Sequence, residues 1–370
     1  MLRGVGRRLL AVLITSTMLL TLACGGGTGA PSSQPAAQAP GGSAPTAATV
    51  TQSPAAAPAG ASCAQDRTYR FAYLQLGWAA TEIIHQEKLL EKRGWRIEWQ
   101  TVGPISGLVN AFASGQADLI DMSVIIAGQM YESGVPLKIF GTAVGVLGAV
   151  VVPVNHPARE LPDLRGKKVG VIPGGTTTQD INASSRVVYG FDVLTDTQAI
   201  TATAPPDLAA LLRKGDVEAV LIWEPVTSAL IHTGDYRILV HQQELWERAS
   251  GSSILPVHVA YLAKPELAEQ CPNLLADIND AQREAYEIWQ NQPEIAQRAI
   301  VEVTKLTPDE VAFAMSQTKQ VLYGLTEAQI DTMLAQLRHN REHGTLLKSD
   351  IWYNPGSLKQ QLFFIPPARR

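Results

Sequence analysis

The chain has 370 residues, a formal net charge of −4, and 46% hydrophobic residues. This charge balance provides no broad positive surface of the kind that nucleic-acid binding requires. Beyond the N-terminal segment, no apolar run is long enough to span a bilayer, and about 300 residues have a globular composition, which is enough for two lobes.

The first 23 residues predict a signal peptide. Arg3, Arg7 and Arg8 give a positive start, and the apolar run at 9–20 is shorter than a membrane span. The run ends in Leu-Thr-Leu-Ala-Cys at Cys24, followed by three glycines, and this resembles a bacterial lipobox. The segment therefore predicts lipidation of Cys24, and an ordinary signal peptide cut nearby is the alternative.

Residues 24–65 predict the lipidated cysteine followed by a disordered linker. Gly, Ala, Pro, Ser, Thr and Gln dominate this stretch, and such a composition cannot bury enough apolar surface to offset its ordering entropy. A tether after a lipid anchor keeps a soluble domain close to a membrane. We therefore expect an extracytoplasmic protein that is held at the cell membrane, in the periplasm or on the outer surface.

Three cysteines are present, at positions 24, 63 and 271. If Cys24 carries a lipid, two cysteines remain in an oxidising compartment. We predict a Cys63–Cys271 disulfide, with two unpaired thiols as the alternative. Thiol titration with and without reductant distinguishes the two.

The first half of the folded part alternates strands and helices. Strands are expected at 70–76, 95–100, 117–122 and 136–144, with a helix between each pair. This order predicts a parallel sheet with covering helices, whose ligands sit beyond the carboxyl ends of the strands. Trp78, Ser106 and Ser123 fall there, although each serine can also be a helix cap and Trp78 can also be core.

The second half repeats this scheme around the segment KKVGVIPGGTTT at 167–178. It predicts a buried strand, a glycine turn and a helix that starts near Thr176, where unpaired N–H groups suit an anionic or polar group. A plain strand–turn–helix junction is the alternative, because neither a Walker loop nor a dinucleotide motif is present. Another buried strand runs into Trp223 and Glu224, and residues 254–262 predict a strand that returns to the first lobe, before several C-terminal helices that cover it.

Three segments resemble one known family. They are LVNAFASGQADLIDMS (108–123), DLRGKKVGVIPGG (163–175) and PDLAALLRKGDVEAVLIWEP (206–225). They are similar to the extracytoplasmic solute-binding proteins of ABC importers for nitrate, sulfonates, taurine and thiamine-pyrimidine precursors. The resemblance implies an α/β fold of the type II periplasmic-binding-protein class, in which each of two lobes is a mostly parallel sheet and two hinge strands cross between them. Lobe 1 would comprise 66–152 plus 255–370, and lobe 2 would comprise 153–254.

The resemblance also implies a cleft in which the lobes close over one small molecule. Its lining would be Trp78, Ser106, Ser123, Thr176, Thr177, Trp223 and Glu224. Glu224 is the expected selectivity residue, with a helix-capping glutamate as the alternative. Hydroxyls and helix N-termini suit oxyanions, and tryptophan suits a flat group, so we expect a sulfonate, an amino acid-like solute or a heteroaromatic.

The expected partners are that solute and the permease and ATPase of an importer, with a monomeric protein that has no cofactor and performs no chemistry. One alternative is an enzyme of the same fold, such as a chorismate dehydratase or an enzyme of pyrimidine-precursor biosynthesis, for which Glu224 is the one acid/base candidate placed in the cleft. Another is a sensing lobe that contacts a receptor. His339 and His343 have helical metal-ligand spacing, but they lack the accompanying glutamate of the zinc motif and are expected to be a solvated surface pair.

Overall fold

The structure, a computed structural model, describes residues 63, 65–75, 78–318 and 321–367. The predicted signal peptide, Cys24 and almost all of the linker lie outside these residues. The strands are β1 (Thr68–Leu74), β2 (Arg96–Val102), β3 (Leu119–Ser123), β4 (Lys138–Gly145), β5 (Gly148–Pro153), β6 (Lys168–Val171), β7 (Gln198–Thr201), β8 (Ala219–Trp223), β9 (Tyr236–His241) and β10 (Val257–Ala263).

Thirteen α-helices occur in the described residues. They are α1 (Thr81–Gln86), α2 (Ile105–Ala113), α3 (Val124–Glu132), α4 (Thr176–Tyr189), α5 (Pro205–Lys214), α6 (Val226–Ile231), α7 (Gln242–Ser250), α8 (Pro265–Gln270), α9 (Pro272–Asn291), α10 (Pro293–Thr304), α11 (Pro308–Gln317), α12 (Glu327–His343) and α13 (Pro355–Leu362). Proline in the first turn starts α5, α8, α9, α10, α11 and α13, where its missing N–H costs no helical hydrogen bond.

The strands form two five-stranded sheets with the same topology. The first has the order β2-β1-β3-β10-β4, and the second has the order β7-β6-β8-β5-β9. In each sheet four strands run in one direction, while β10 or β5 runs antiparallel to its neighbours. The predicted two-lobed α/β fold with mostly parallel sheets is therefore confirmed. Strands β3 and β8 are buried along nearly their whole length, as expected for strands covered on both faces.

The chain passes between the sheets twice, and the first passage comes earlier than predicted. Strand β5 pairs with β8 and β9, so it belongs to the second sheet, whereas the predicted boundary at 152/153 places it with the first. Its run of valines suits either sheet, and only the pairing assigns it. A Cβ at Gly145 would clash with Leu255, which lies in the second passage, so glycine allows the two passages to lie close together.

The C-terminal helices cover more than the first lobe. Helix α9 packs against α1 and β4 of the first lobe, as expected, but α11 packs against α6 and α12 against α4. Both α4 and α6 follow strands of the second sheet. The prediction that these helices only clad the first lobe is therefore wrong.

Cys63 and Cys271 form a disulfide in the structure, with their Cα atoms 4.8 Å apart. Cys271 is buried at the junction of α8 and α9, and the hydroxyl of Tyr69 lies 3.3 Å from its Sγ. The bridge joins the start of the described chain to this junction, 208 residues away.

Candidate functional site

A cavity of about 40 Å³ lies between the two sheets. From the first lobe it is lined by Leu74, Ile105, Leu108, Asp121, Met122, Ser123, His258 and Val259, and from the second by Thr176 and Trp223. Leu74 and Ser123 end β1 and β3, Trp223 ends β8, and Thr176 begins the helix after β6. In each sheet the strand order reverses at β1 or β6, and this is where open α/β sheets bind ligands.

Two predicted hydroxyls meet across the cavity. The Thr176 Oγ1 hydroxyl donates a hydrogen bond to Ser123 Oγ at 2.5 Å, joining the two lobes directly. Ser123 occupies the N-cap position of α3 and Gly175 that of α4, but neither helix has a side-chain cap hydrogen bond. The cavity therefore adjoins two helix N-termini whose first backbone N–H groups have no side-chain acceptor, an arrangement that favours an oxyanion.

Trp223 and Trp78 have different roles. Trp223 is buried and lines the cavity, where its ring offers a flat apolar surface. Trp78 is only 1% exposed; its Nε1–H donates to Thr318 Oγ1 at 2.7 Å, and its ring packs edge-on against Trp289 at 5.2 Å. Trp78 is therefore a core residue with a satisfied indole N–H and does not line the cavity, so the core alternative describes it.

Ser106 and Thr177 are near the cavity in sequence but do not line it. Ser106 is exposed in the first turn of α2, and Pro104 occupies the N-cap position, so the capping reading of Ser106 also fails. Thr177 is buried and lies so close to Gly148 that a Cβ there would clash with it. Side chains at successive positions of a helix point in different directions, so Thr176 reaches the cavity while Thr177 packs behind it.

Glu224 lies beside a separate groove of about 560 Å³, together with Ser228, His241, Glu244 and Phe313. Its Oε2 accepts a hydrogen bond from the backbone N–H of Ser228 at 3.0 Å, and burial raises the pKa of its carboxyl to about 7. The Glu224 side chain thus accepts a hydrogen bond from a backbone N–H in the first turn of α6, as the helix-capping alternative predicts. Glu224 does not line the cavity that holds Ser123 and Thr176.

The cavity contains two titratable residues that the sequence analysis did not select. Asp121 is buried, and its Oδ1 accepts from the backbone N–H of Leu74 at 3.2 Å; burial raises the pKa of its carboxyl to about 7. His258 is buried, its Nδ1 has no hydrogen-bond partner in the described structure, and burial lowers the pKa of its imidazole to about 4. Asp121 and His258, and not Glu224, are therefore the acid/base candidates that line this cavity.

The sequence contains a signal for Asp121 and His258, because each is an ionisable residue within an otherwise mostly apolar strand. Asp121 interrupts the buried strand LIDMS, and His258 interrupts VHVAYLA. Ionisable residues are rarely buried in strands without a partner or a function. A signal of this kind lies inside the strands and not at the strand ends and helix starts, where the predicted site residues lie.

The pair His339 and His343 is less solvated than expected. Their rings lie 5.1 Å apart, and His339 also packs edge-on against Trp246. Burial is the main cause that lowers the pKa of His339 to about 4. Among the described residues no group of three or more His, Cys, Asp or Glu side chains could hold a metal ion.

Comparison with known proteins decides the fold. Residues 155–314 match the family model of the substrate binding domain of ABC-type glycine betaine transport systems. The crystal structure of the periplasmic aliphatic sulphonate binding protein SsuA from Escherichia coli superposes with a TM-score of 0.67 at 21% identity, covering 82% of this chain and 94% of that one. The fold is that of the periplasmic substrate-binding proteins.

Other relatives of this substrate-binding fold differ in their solutes. The alkanesulfonate-binding protein from Xanthomonas axonopodis pv. citri, bound to MOPS, has a TM-score of 0.64 at 20% identity and covers 77% of this chain and 96% of that one. The nitrate-binding protein NrtA from Synechocystis PCC 6803 has a TM-score of 0.60 at 16% identity, with coverage of 80% and 86%. These likenesses confirm the predicted resemblance, and the proteins named are binding proteins, not enzymes.

A curated relative is the taurine-binding periplasmic protein of Escherichia coli K12, which is 19% identical over 211 residues. The match covers 55% of this chain and 63% of that protein, which is less than two thirds of its length. In the part of this chain that the structure describes, no helix is both long enough and apolar enough to cross a bilayer.

Proposed function

We propose that this protein is an extracytoplasmic lipoprotein that binds a small polar organic solute between its two lobes and delivers it to an ABC importer. The solute carries an oxyanion, for which a sulfonate is the leading candidate. The protein acts as a monomer, and its partners are the permease and ATPase of the importer.

One observation carries the proposal: Ser123 and Thr176 meet across the interlobe cavity at 2.5 Å, each at the N-terminus of a helix without a side-chain cap. A sulfonate oxygen that displaces this direct contact and parts the two hydroxyls can accept from both of them and from the first backbone N–H groups of α3 and α4. The sulphonate- and taurine-binding relatives support this choice.

Replacing Ser123 with alanine is expected to weaken sulfonate binding about tenfold, because hydrogen bonds to charged groups contribute more than neutral ones. Titration calorimetry with taurine, ethanesulfonate, nitrate and sulfate measures the change, and Thr176→Ala should act in the same direction. Ser106→Ala is the matched control, since this serine is exposed on α2, and it should bind like the wild type. Binding of inorganic anions alone would reject an organic solute.

The anchor has its own test. Expression of the full chain with a radiolabelled fatty acid is expected to label the wild type and to leave Cys24→Ala unlabelled, because acylation requires that thiol. The same variant should lose membrane association on fractionation, since it lacks the lipid that anchors the protein. Equal labelling of both proteins would mean that Cys24 is not the modified residue.

A further inference from the structure

The oxyanion contacts use only two of the side chains that line the interlobe cavity, Ser123 and Thr176. Asp121 and His258 also line the cavity, and the proposed function gives neither a task. The remaining first-lobe lining is the apolar set Leu74, Ile105, Leu108, Met122 and Val259. The described residues that line this cavity include no lysine or arginine, so the protein supplies no cation to Asp121 there.

We propose that the solute carries an ammonium group close to its oxyanion and that Asp121 binds this ammonium. Asp121 is then the residue that selects amino-bearing solutes over plain sulfonates. This inference rests on the proposed function, because it assumes that the oxyanion lies at Ser123 and Thr176.

The spacing along β3 sets the separation of the two charges. Asp121 and Ser123 are two residues apart on one strand, so their side chains point to the same face, and both line the cavity. At 3.2–3.4 Å per residue, their Cα atoms are about 6.6 Å apart along the strand. A molecule whose anion and cation are separated by two or three bonds fits between these side chains, and a long flexible chain does not.

Asp121 has capacity for a further donor. It accepts from the backbone N–H of Leu74 and from the hydroxyl of Thr81, whereas an ionised carboxylate offers about four acceptor positions. Glu82, another buried carboxyl group, lies nearby. The repulsion between them disfavours ionisation of both Glu82 and Asp121 when no cation is present. An ammonium that enters the cavity offsets this repulsion and the desolvation cost of the carboxylate.

His258 gives an independent indication that a ligand is recognised here. It is 6% exposed, lines the cavity, and leaves Nδ1 without a hydrogen-bond partner in the described structure. Buried polar atoms nearly always have a hydrogen-bond partner, so an unpaired nitrogen on a residue that lines the cavity indicates a ligand-binding position. A neutral imidazole nitrogen can accept a hydrogen bond from an N–H group of a ligand that enters the cavity.

The size of the cavity favours a compact solute. Its volume of about 40 Å³ exceeds the 10–15 Å³ that one water requires, yet a guest larger than a few heavy atoms would need the lobes to part. This limit and the short charge separation both favour a small zwitterion.

The test compares taurine with ethanesulfonate, which lacks the amino group, by titration calorimetry on the wild type and on Asp121→Asn. We expect the wild type to bind taurine at least tenfold more tightly, since a charge-assisted contact is lost with ethanesulfonate. The isosteric Asp121→Asn should lose most of this preference and keep ethanesulfonate binding within about threefold. Asp216→Asn, an exposed acid, is the control and should keep the wild-type ratio.

The outcomes separate the two levels of the proposal. If the wild type binds ethanesulfonate as tightly as taurine, or if Asp121→Asn keeps the preference, the ammonium assignment is overturned while oxyanion binding stands. If neither compound binds the wild type, the proposed function fails, and this inference fails with it. The wild-type comparison needs no variant, so it tests the ammonium group of the solute even if Asp121→Asn does not fold.

Discussion

Replacing Asp180 with alanine is expected to lower the free energy of unfolding by about 3–5 kcal/mol, because three buried amide donors lose their acceptor. Asp180 Oδ2 accepts from Gln242 Nε2 at 2.7 Å and from Gln336 Nε2 at 2.9 Å, while Oδ1 accepts from Asn340 Nδ2 at 2.6 Å. All four side chains are buried, so water cannot replace the lost bonds without entering the core.

This network joins three helices at one carboxylate. Asp180 is on α4, Gln242 on α7, and Gln336 and Asn340 on α12. Gln242 Oε1 also accepts from the backbone N–H of Gly148 at 3.1 Å, where β5 begins. Because α4 starts at the interlobe cavity, we expect Asp180→Ala to disturb solute binding as well as stability.

Urea unfolding at pH 7, followed by circular dichroism, measures the loss for Asp180→Ala against the wild type. The control is Asp207→Ala, which removes an exposed aspartate that accepts a hydrogen bond from Thr203 at 3.1 Å and should cost less than about 1 kcal/mol. Similar losses for the two variants would show that the buried network is not a special source of stability.

The fold could be predicted from the sequence because its signals are local. Short apolar strands, glycine at helix ends and proline at helix starts recur through the chain, and they give the alternation of strands and helices. The assignment of β5 is different: its valines suit either sheet, and only pairing with β8 and β9 decides. Similarly, nothing in the sequence of α12 states that Gln336 and Asn340 will meet Asp180 from another lobe.

The candidate site was predicted in part, for the same reason. Ser123, Thr176 and Trp223 follow strand ends directly, and the topology brings strand ends together at the cavity. Trp78 and Glu224 also follow strand ends, but the exact direction of each side chain depends on its tertiary partners, Thr318 for one and the Ser228 N–H for the other. A position near a strand end thus predicts proximity to the cleft, not access to it.

The second large effect is a fall in stability as the pH rises from about 6.5 to 8, and Glu82→Gln should remove about 2 kcal/mol of that fall. Glu82 is fully buried on α1, and its Oε2 has no hydrogen-bond partner in the described structure. Desolvation is the main cause that raises the pKa of its carboxyl to about 8.

The sign follows from proton binding in the two states. An unfolded glutamate loses its proton near pH 4, whereas folded Glu82 keeps it until about pH 8. Between these values the folded state binds more protons than the unfolded state, so the free energy of unfolding decreases as the pH rises. Asp121 and Glu224 act in the same direction, because burial raises the pKa of each to about 7.

Two buried histidines oppose this trend only at lower pH. Burial lowers the pKa of His258 and of His339 to about 4, while an unfolded histidine titrates near pH 6.5. Their contribution to stability therefore rises with pH through about 6.5 and levels off about one pH unit above it. Because the wild type and Glu82→Gln share these histidines, the difference between their two slopes in the window from about pH 6.5 to 8 reports Glu82 alone.

Urea unfolding of the wild type and Glu82→Gln across this window gives the two slopes. Glu98→Gln is the control, because Glu98 is exposed on β2, and its slope should equal that of the wild type. Glutamine keeps the size of Glu82 and cannot ionise, so the free energy of unfolding of the variant, relative to that of the wild type, should increase by about 2 kcal/mol between pH 6.5 and pH 8. Parallel slopes for the wild type and Glu82→Gln would mean that Glu82 in the folded protein ionises near pH 4, as it does in the unfolded chain. Such ionisation would require water or a cation beside the carboxyl group. It would also place a negative charge near Asp121.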